Sequence, residues 1–186
     1  MDFDQKLLDG LQSQDQLPVV RIYSWSAPAV TYGRLQELKP VQDKYPGIEC
    51  VRRPTGGKAV LHGSDLTMSV IALNEHLAEG ETSVRRAYTG IVESVRRALT
   101  ATGTFTQPGT SNRTSSHSVG CFESAAECDL VETKSGLKLV GCAQRRTKCG
   151  SIIQVSIPNH QNDWNLLAEI RNNLEVQLNV SCWVSR

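Results

Sequence analysis

The chain has 186 residues, 39% of them hydrophobic, 21% charged and 5% aromatic, the composition of one soluble globular domain and not of a disordered or membrane-embedded chain. Lys+Arg 20 against Asp+Glu 19 leave a net charge of +1, which excludes a nucleic-acid binder that works through bulk charge. Six cysteines, at 50, 121, 128, 142, 149 and 182, are too sparse for a disulfide scaffold and read as reduced thiols whose spacings do not fit zinc pairs, so no metal is expected.

The N-terminus has neither a basic segment followed by an apolar one nor a stretch long enough to span a bilayer, and a cytoplasmic or processed organellar protein is expected. Phe3, Leu7, Leu8 and Leu11 share one face of a short opening helix. Residues 18–25 and 29–33 carry the Val, Ile, Tyr, Trp and Thr content of two strands, interrupted by Ala27 and Pro28. Residues 48–53, 59–62 and 66–73 continue as strands, punctuated by Pro46-Gly47, Gly56-Gly57 and Gly63-Ser64.

Residues 84–99 have apolar side chains at the three-and-four spacing of an amphipathic helix, with Glu93 and Arg97 paired on its polar side. Residues 107–118 are almost wholly polar and read as a surface loop. Strands are expected again at 128–132, 137–143 and 152–157, then a helix at about 163–172. Alternation at Leu174, Val176, Leu178, Val180 and Cys182 predicts a terminal strand. Strands and helices mix without regular alternation, so the expected class is α+β, in one domain over 1–186.

Three segments carry chemistry. In the first, Arg52-Arg53-Pro54-Thr55-Gly56-Gly57-Lys58, two glycines between strands let backbone N–H groups approach a ligand beside three cations, pointing to an anion or carbonyl site. The same glycines also serve a plain turn, and the P-loop pattern is absent because Arg52 and Ala59 occupy positions where it needs Gly and Ser or Thr. In the second, residues 134–150 hold Lys134, Lys138, Arg145, Arg146 and Lys148 and no acidic residue, either a docking strip or a solubilised strand edge. The third is Cys121, directly after the polar loop, a reactive thiol or an inert buried one.

Together and in this order the segments resemble the lipoate- and biotin-ligase-like acyltransferase superfamily, most closely its octanoyltransferases. Arg52-Arg53-Pro54-Thr55-Gly56-Gly57, Val60-Leu61-His62 and Leu66-Thr67-Met68-Ser69-Val70 look like one family block. Cys121-Phe122-Glu123 resembles the nucleophile segment, and the stretch from Lys138 through Gly141 and Ala143-Gln144 to Arg146 the following strand. The resemblance implies a mixed sheet flanked by helices, like a biotin-lipoate ligase or class II aminoacyl-tRNA synthetase catalytic domain, without the usual first strand or a C-terminal accessory domain.

It further implies octanoyl transfer from acyl carrier protein to a lysine of a lipoyl-domain or glycine-cleavage H-type protein, with Cys121 as nucleophile and Lys138 as the lysine that holds the acyl carbonyl or activates the thiol. Arg52, Arg53, Thr55, Gly56, Gly57, His62, Gly141, Ala143 and Gln144 would bind the acyl substrate, and Arg145, Arg146 and Lys148 would dock the carrier. No cofactor is implied, since a thioester donor reacts directly with a thiolate; ATP and Mg enter only in the alternative of a lipoate-protein ligase. Neither nucleic acid nor membrane is an expected partner. Gln154-Val155-Ser156 departs from the family's Gln-His-Gly-Ser pattern, which keeps open a third reading, a non-catalytic binder of lipoyl or acyl carrier domains.

Overall fold

The computed structural model describes residues 1–11, 17–78, 84–110, 119–123, 125–126 and 129–179. The elements in order are α1 (Asp2–Asp9), β1 (Val19–Tyr23), β2 (Ala29–Tyr32), α2 (Leu38–Lys44), β3 (Glu49–Arg52), β4 (Val60–His62), β5 (Leu66–Leu73), α3 (Asn74–Ala78), α4 (Val84–Ala101), β6 (Thr106–Pro108), a 3₁₀ turn (Cys121–Glu123), β7 (Leu130–Glu132), β8 (Lys138–Arg146), β9 (Gly150–Ile157) and α5 (Trp164–Leu178). The α+β class is as expected.

β1-β5-β9-β8-β7-β6 form one antiparallel sheet, and β3-β2-β4 a smaller one in which β2 and β3 are parallel. One face of the large sheet is apolar: Met68, Val70, Val140, Ile153 and Val155 pack with Ile91, Val95 and Leu99 of α4 and Leu166, Ile170 and Leu174 of α5. The opposite face is polar in its middle, because the register Tyr23↔Thr67, Arg21↔Ser69, Thr67↔Ser156, Ser69↔Gln154, Ser156↔Gly141 and Gln154↔Ala143 puts these side chains together. There α1 covers one end, where Leu8 and Leu11 bury against Ile71, Leu73 and Ile152. A sheet buried on both faces explains why all eight residues of β5 and of β9 are buried.

Several expectations are corrected. The terminal strand is instead the second half of α5, which runs from an Asp163 cap whose side chain accepts from Leu166 N–H to Asn179 in the left-handed conformation at φ 51°. Leu174 and Leu178 belong to its buried stripe with Leu166 and Ile170, while Val176 is exposed; Val180 and Cys182 lie outside the described residues. Gln107 and Pro108 are in β6 and not in a loop, and 111–118 lie outside the described residues. Phe3 is exposed, stacked under the Arg21 guanidinium at 4.7 Å. β3 and β4 flank β2 on either side, so Gly56-Gly57 lies in a crossover and not in a plain turn between neighbouring strands.

Candidate active site

Cys121 opens the 3₁₀ turn and is anchored to the small sheet: its N–H donates to the Ala59 carbonyl at 2.7 Å, beside the Ala59–Gly120 bridge. Lys138 comes from β8. One step along β7, from Val131 to Leu130, is matched by two along β8, from Lys138 to Val140. The extra residue reverses the alternation, so Lys138 joins Gly141 and Ala143 on the polar face while Val140 stays in the core.

Its ammonium then meets Cys121 Sγ at 3.1 Å, the Cys121 carbonyl at 3.0 Å and Asp129 Oδ2 at 2.8 Å. Three acceptors match the three donors of an ammonium. The Lys138 side chain is 4% exposed. Burial on its own would lower its pKa, but the negative charges of Cys121 and Asp129 reverse the balance and hold it above the ordinary lysine value. Asp129 is itself fixed by the N–H groups of Ala126 at 2.7 Å and Cys142 at 3.1 Å. Nothing about its distance in sequence from Lys138 marks this carboxylate as a partner, and it was not among the expected site residues.

Small residues let the parts close. A Cβ on Gly141 would stand 3.1 Å from the Phe122 ring and 3.4 Å from Cys121 Sγ. Gly57 has φ +86°, and a Cβ there would come within 2.9 Å of Arg53 Nη2. Gly33, unmarked by the sequence reading, approaches so closely that its Cβ would fall 2.0 Å from the Gly57 carbonyl oxygen. Gly56 has no such neighbour and no positive φ.

Arg53 is buried and holds the crossover by donating to Thr55 Oγ1 at 3.0 Å, the Thr31 carbonyl at 3.1 Å, the Gly56 carbonyl at 2.5 Å and the Lys58 carbonyl at 2.8 Å. Burial pulls its pKa down to about 10, against the raising effect of Cys121, so it remains a cation at neutral pH. Thr55 passes the support on to Gln154 Oε1 at 2.8 Å, and Gln154 Nε2 donates to the buried Asp4 carboxylate at 2.8 Å.

Part of this group lines a small open cleft. Cys121, Arg53, His62, Gly141 and Ala143 line it, joined by Thr31, Thr67, Gln154 and Ser156; the Cys142 side chain shares the face of Val140 and packs against the core. Other expected substrate contacts lie elsewhere. Arg52 bonds to Tyr32 Oη at 3.3 Å and the Arg34 carbonyl at 3.2 Å. Gln144 projects to the other face of β8, the one carrying Val140. Arg145 donates to Gln5 of α1 at 2.7 Å, and Arg146, its neighbour, takes the opposite face of the strand; Lys148 is exposed in the β8–β9 turn. Among the described residues no group of three or more His, Cys, Asp or Glu is placed to hold a metal ion, and no helix is long and apolar enough to cross a membrane.

Residues 1–176 match the lipoyl protein ligase A/B catalytic domain. The chain belongs to that family. Within it, an octanoyltransferase LipM of Geobacillus kaustophilus is 35% identical over 165 residues, covering 83% of this chain and 58% of that relative. The Bacillus subtilis octanoyltransferase LipM is 34% identical over 166 residues with the same coverage. The chain thus spans a little over half the length of the LipM proteins it matches. A solved structure of T. acidophilum Ta0514, a putative lipoate protein ligase with bound lipoic acid, superposes with a TM-score of 0.75 at 19% identity, covering 98% of this chain and 81% of that one, and so shares the fold.

Proposed function

We propose that the protein is an octanoyltransferase of protein lipoylation, accepting an octanoyl group from a carrier-protein thioester on Cys121 and passing it to a lysine of a lipoyl-domain or H-type acceptor. The observation that carries this reading is the buried ammonium of Lys138 at 3.1 Å from a thiol on the cleft wall. A cation there stabilises negative sulfur, the nucleophilic form. Kinship with octanoyltransferase LipM proteins supports the acyl group and the reaction class.

In the first half-reaction the Cys121 sulfur attacks the donor carbonyl, the bond to the carrier sulfur breaks, and the carrier thiol leaves with the proton that Cys121 gave up. A thioester brings its own activation, so the reaction needs neither nucleotide nor metal. In the second half-reaction an acceptor amine attacks the enzyme thioester. Lys138 holds the sulfur and its own carbonyl neighbour in both steps, a positioning effect that costs no reorganisation.

The test is intact mass of the protein after incubation with octanoyl-carrier protein, with and without ATP, followed by addition of a lipoyl domain. An ATP-independent, hydroxylamine-sensitive adduct that moves to the lipoyl domain is expected. Acylation of the domain only with ATP would indicate a ligase, and the absence of both a binder.

A further inference from the structure

Directly after β2 the chain makes a tight turn that is fixed from two sides. Gln36 N–H donates to the Gly33 carbonyl at 2.9 Å, closing a β-turn with Arg34 and Leu35 at its two central positions. Arg34 N–H donates to the Thr55 carbonyl at 2.9 Å, and the Arg34 carbonyl accepts from Arg52 Nη1 at 3.2 Å. The Gln36 side chain completes the set: its Oε1 accepts from Gly33 N–H at 3.1 Å and its Nε2 donates to the Val119 carbonyl at 3.3 Å. Gly33 is itself pressed on the Gly57 carbonyl. The turn is thereby tied to the crossover on one side and to the segment leading into Cys121 on the other.

What this turn presents faces outward. Leu35 is 81% exposed, and Arg34 and Arg52 are exposed with it. A single exposed leucine is ordinary and marks nothing by itself; this one tops a rigid turn held by the Val119 carbonyl, two residues before Cys121. The surroundings are cationic. Residues 26–36 and 50–64 bring in Arg34, Arg52, Arg53 and Lys58 and no Asp or Glu, and Glu37 follows the turn at the N-cap of α2. Lys58 directly precedes Ala59, whose carbonyl holds the Cys121 N–H at 2.7 Å. Arg52 spends Nε on Tyr32 Oη and Nη1 on the Arg34 carbonyl, so among the described contacts its Nη2 is left for a partner.

We propose that the Gly33–Gln36 turn, with Leu35 as its apolar contact and Arg34, Arg52 and Lys58 around it, is the surface on which an acidic carrier protein docks to load Cys121; this rests on the octanoyl-transfer reading above. Charge complementarity selects the donor over the acceptor. A carrier thioester hangs from a phosphodiester-linked arm, so the donor brings a phosphate together with an acidic face, while the acceptor brings an amine that gains nothing from cations. Guanidinium groups meet phosphate and carboxylate oxygens in a fixed fork geometry, and a surface of one sign raises the rate of encounter. A turn that is already ordered loses little freedom on binding. Arg52, expected to bind the acyl group, belongs to this outer surface, and Lys148 in the β8–β9 turn adds charge to the same encounter.

The experiment compares donors and half-reactions. Loading of the full-length protein is followed by intact mass with octanoyl-carrier protein and with a small octanoyl thioester; the loaded protein is then freed of donor and given a lipoyl domain. Arg34→Glu should lower the loading rate from octanoyl-carrier protein by about 10-fold or more, the scale of electrostatically steered association. Loading from the small thioester and transfer to the lipoyl domain should stay near wild type, and added salt should narrow the gap between donors. Leu35→Ser should slow the carrier-bound donor alone, and it carries the test if the charge reversal does not fold. Equal slowing with both donors would make the turn structural, an unchanged carrier rate in either variant would leave the surface without this partner, and selective slowing of transfer to the lipoyl domain would give it to the acceptor; each of these overturns the proposal. If the wild-type protein is loaded by neither donor, the thioester reading itself fails, and the docking surface with it.

Discussion

The Lys138 ammonium and the Asp129 carboxylate lie 2.8 Å apart with side chains 4% and 5% exposed, an ion pair taken out of water directly behind Cys121. Removing one partner of such a pair strands a buried charge and typically costs about 3–5 kcal/mol. Asp129→Ala should therefore lower the melting temperature by on the order of 10 °C and, with Lys138 freed from its anchor, slow thioester formation. A melting curve within a degree or two of wild type would show that the pair does not bear on the fold.

The glycines differ in what they tolerate. Gly56→Ala has open space around it and should leave stability and acylation within error of wild type. Gly57→Ala meets both a φ of +86° and Arg53 Nη2 at 2.9 Å, costing about 1–2 kcal/mol from the backbone alone. Gly33→Ala drives a methyl onto the Gly57 carbonyl oxygen at 2.0 Å and should be the worst of the three. Chemical denaturation of the three variants checks the order.

Much of this was legible in the sequence, because local periodicity and turn residues act locally. The 84–99 stripe became α4, and the strands around Gly56-Gly57 and after Cys121 fell where β-rich runs predicted. The terminal strand failed because Leu174 and Leu178 satisfy period two and, with Leu166 and Ile170, period four as well; the Asp163 cap and Asn179 bounded the helix and were the signals that decide it. α2 was not predicted; its Pro40 falls in the first turn, where the missing N–H has no intrahelical acceptor to lose. Thr31 and Gln154 join the site through strand pairing, and Asp129 through the Cys142 N–H, across the chain, which no local pattern encodes.

Asp65 gives a pH dependence with a definite sign. Burial on its own raises its pKa, but the hydrogen bonds from His62, Ser156 and Thr67 outweigh it and hold the carboxyl below its ordinary value. A carboxyl depressed in the folded state stabilises above the unfolded value of about 3.9 and loses that contribution as pH falls toward the folded one. The stability gap between wild type and Asp65→Asn should thus be widest near neutrality and narrow below pH ~4. A gap that is constant across this range would contradict the network.

Of the residues expected to dock a carrier, Arg145 is engaged with Gln5 and Lys148 is exposed. Exposed charges act on association rate and are screened over a Debye length of about 8 Å at physiological salt. Lys148→Glu should slow acylation by carrier-bound octanoyl more than by a small octanoyl thioester, and added salt should shrink that difference. Equal slowing with both donors would remove the docking role.

The central claim is that the acyl group resides on one particular sulfur, Cys121, and not on the nearby Cys142, whose side chain packs against the core. Only Cys121 has an ammonium at hydrogen-bond distance among the described contacts, 3.1 Å away. Peptide mapping of the protein after brief exposure to an octanoyl thioester, with Cys121→Ala and Cys142→Ala alongside, locates the adduct directly. The octanoyl group should be found on the peptide containing Cys121, persist in Cys142→Ala and vanish in Cys121→Ala; an adduct on Cys142, or one that survives in Cys121→Ala, would contradict the account.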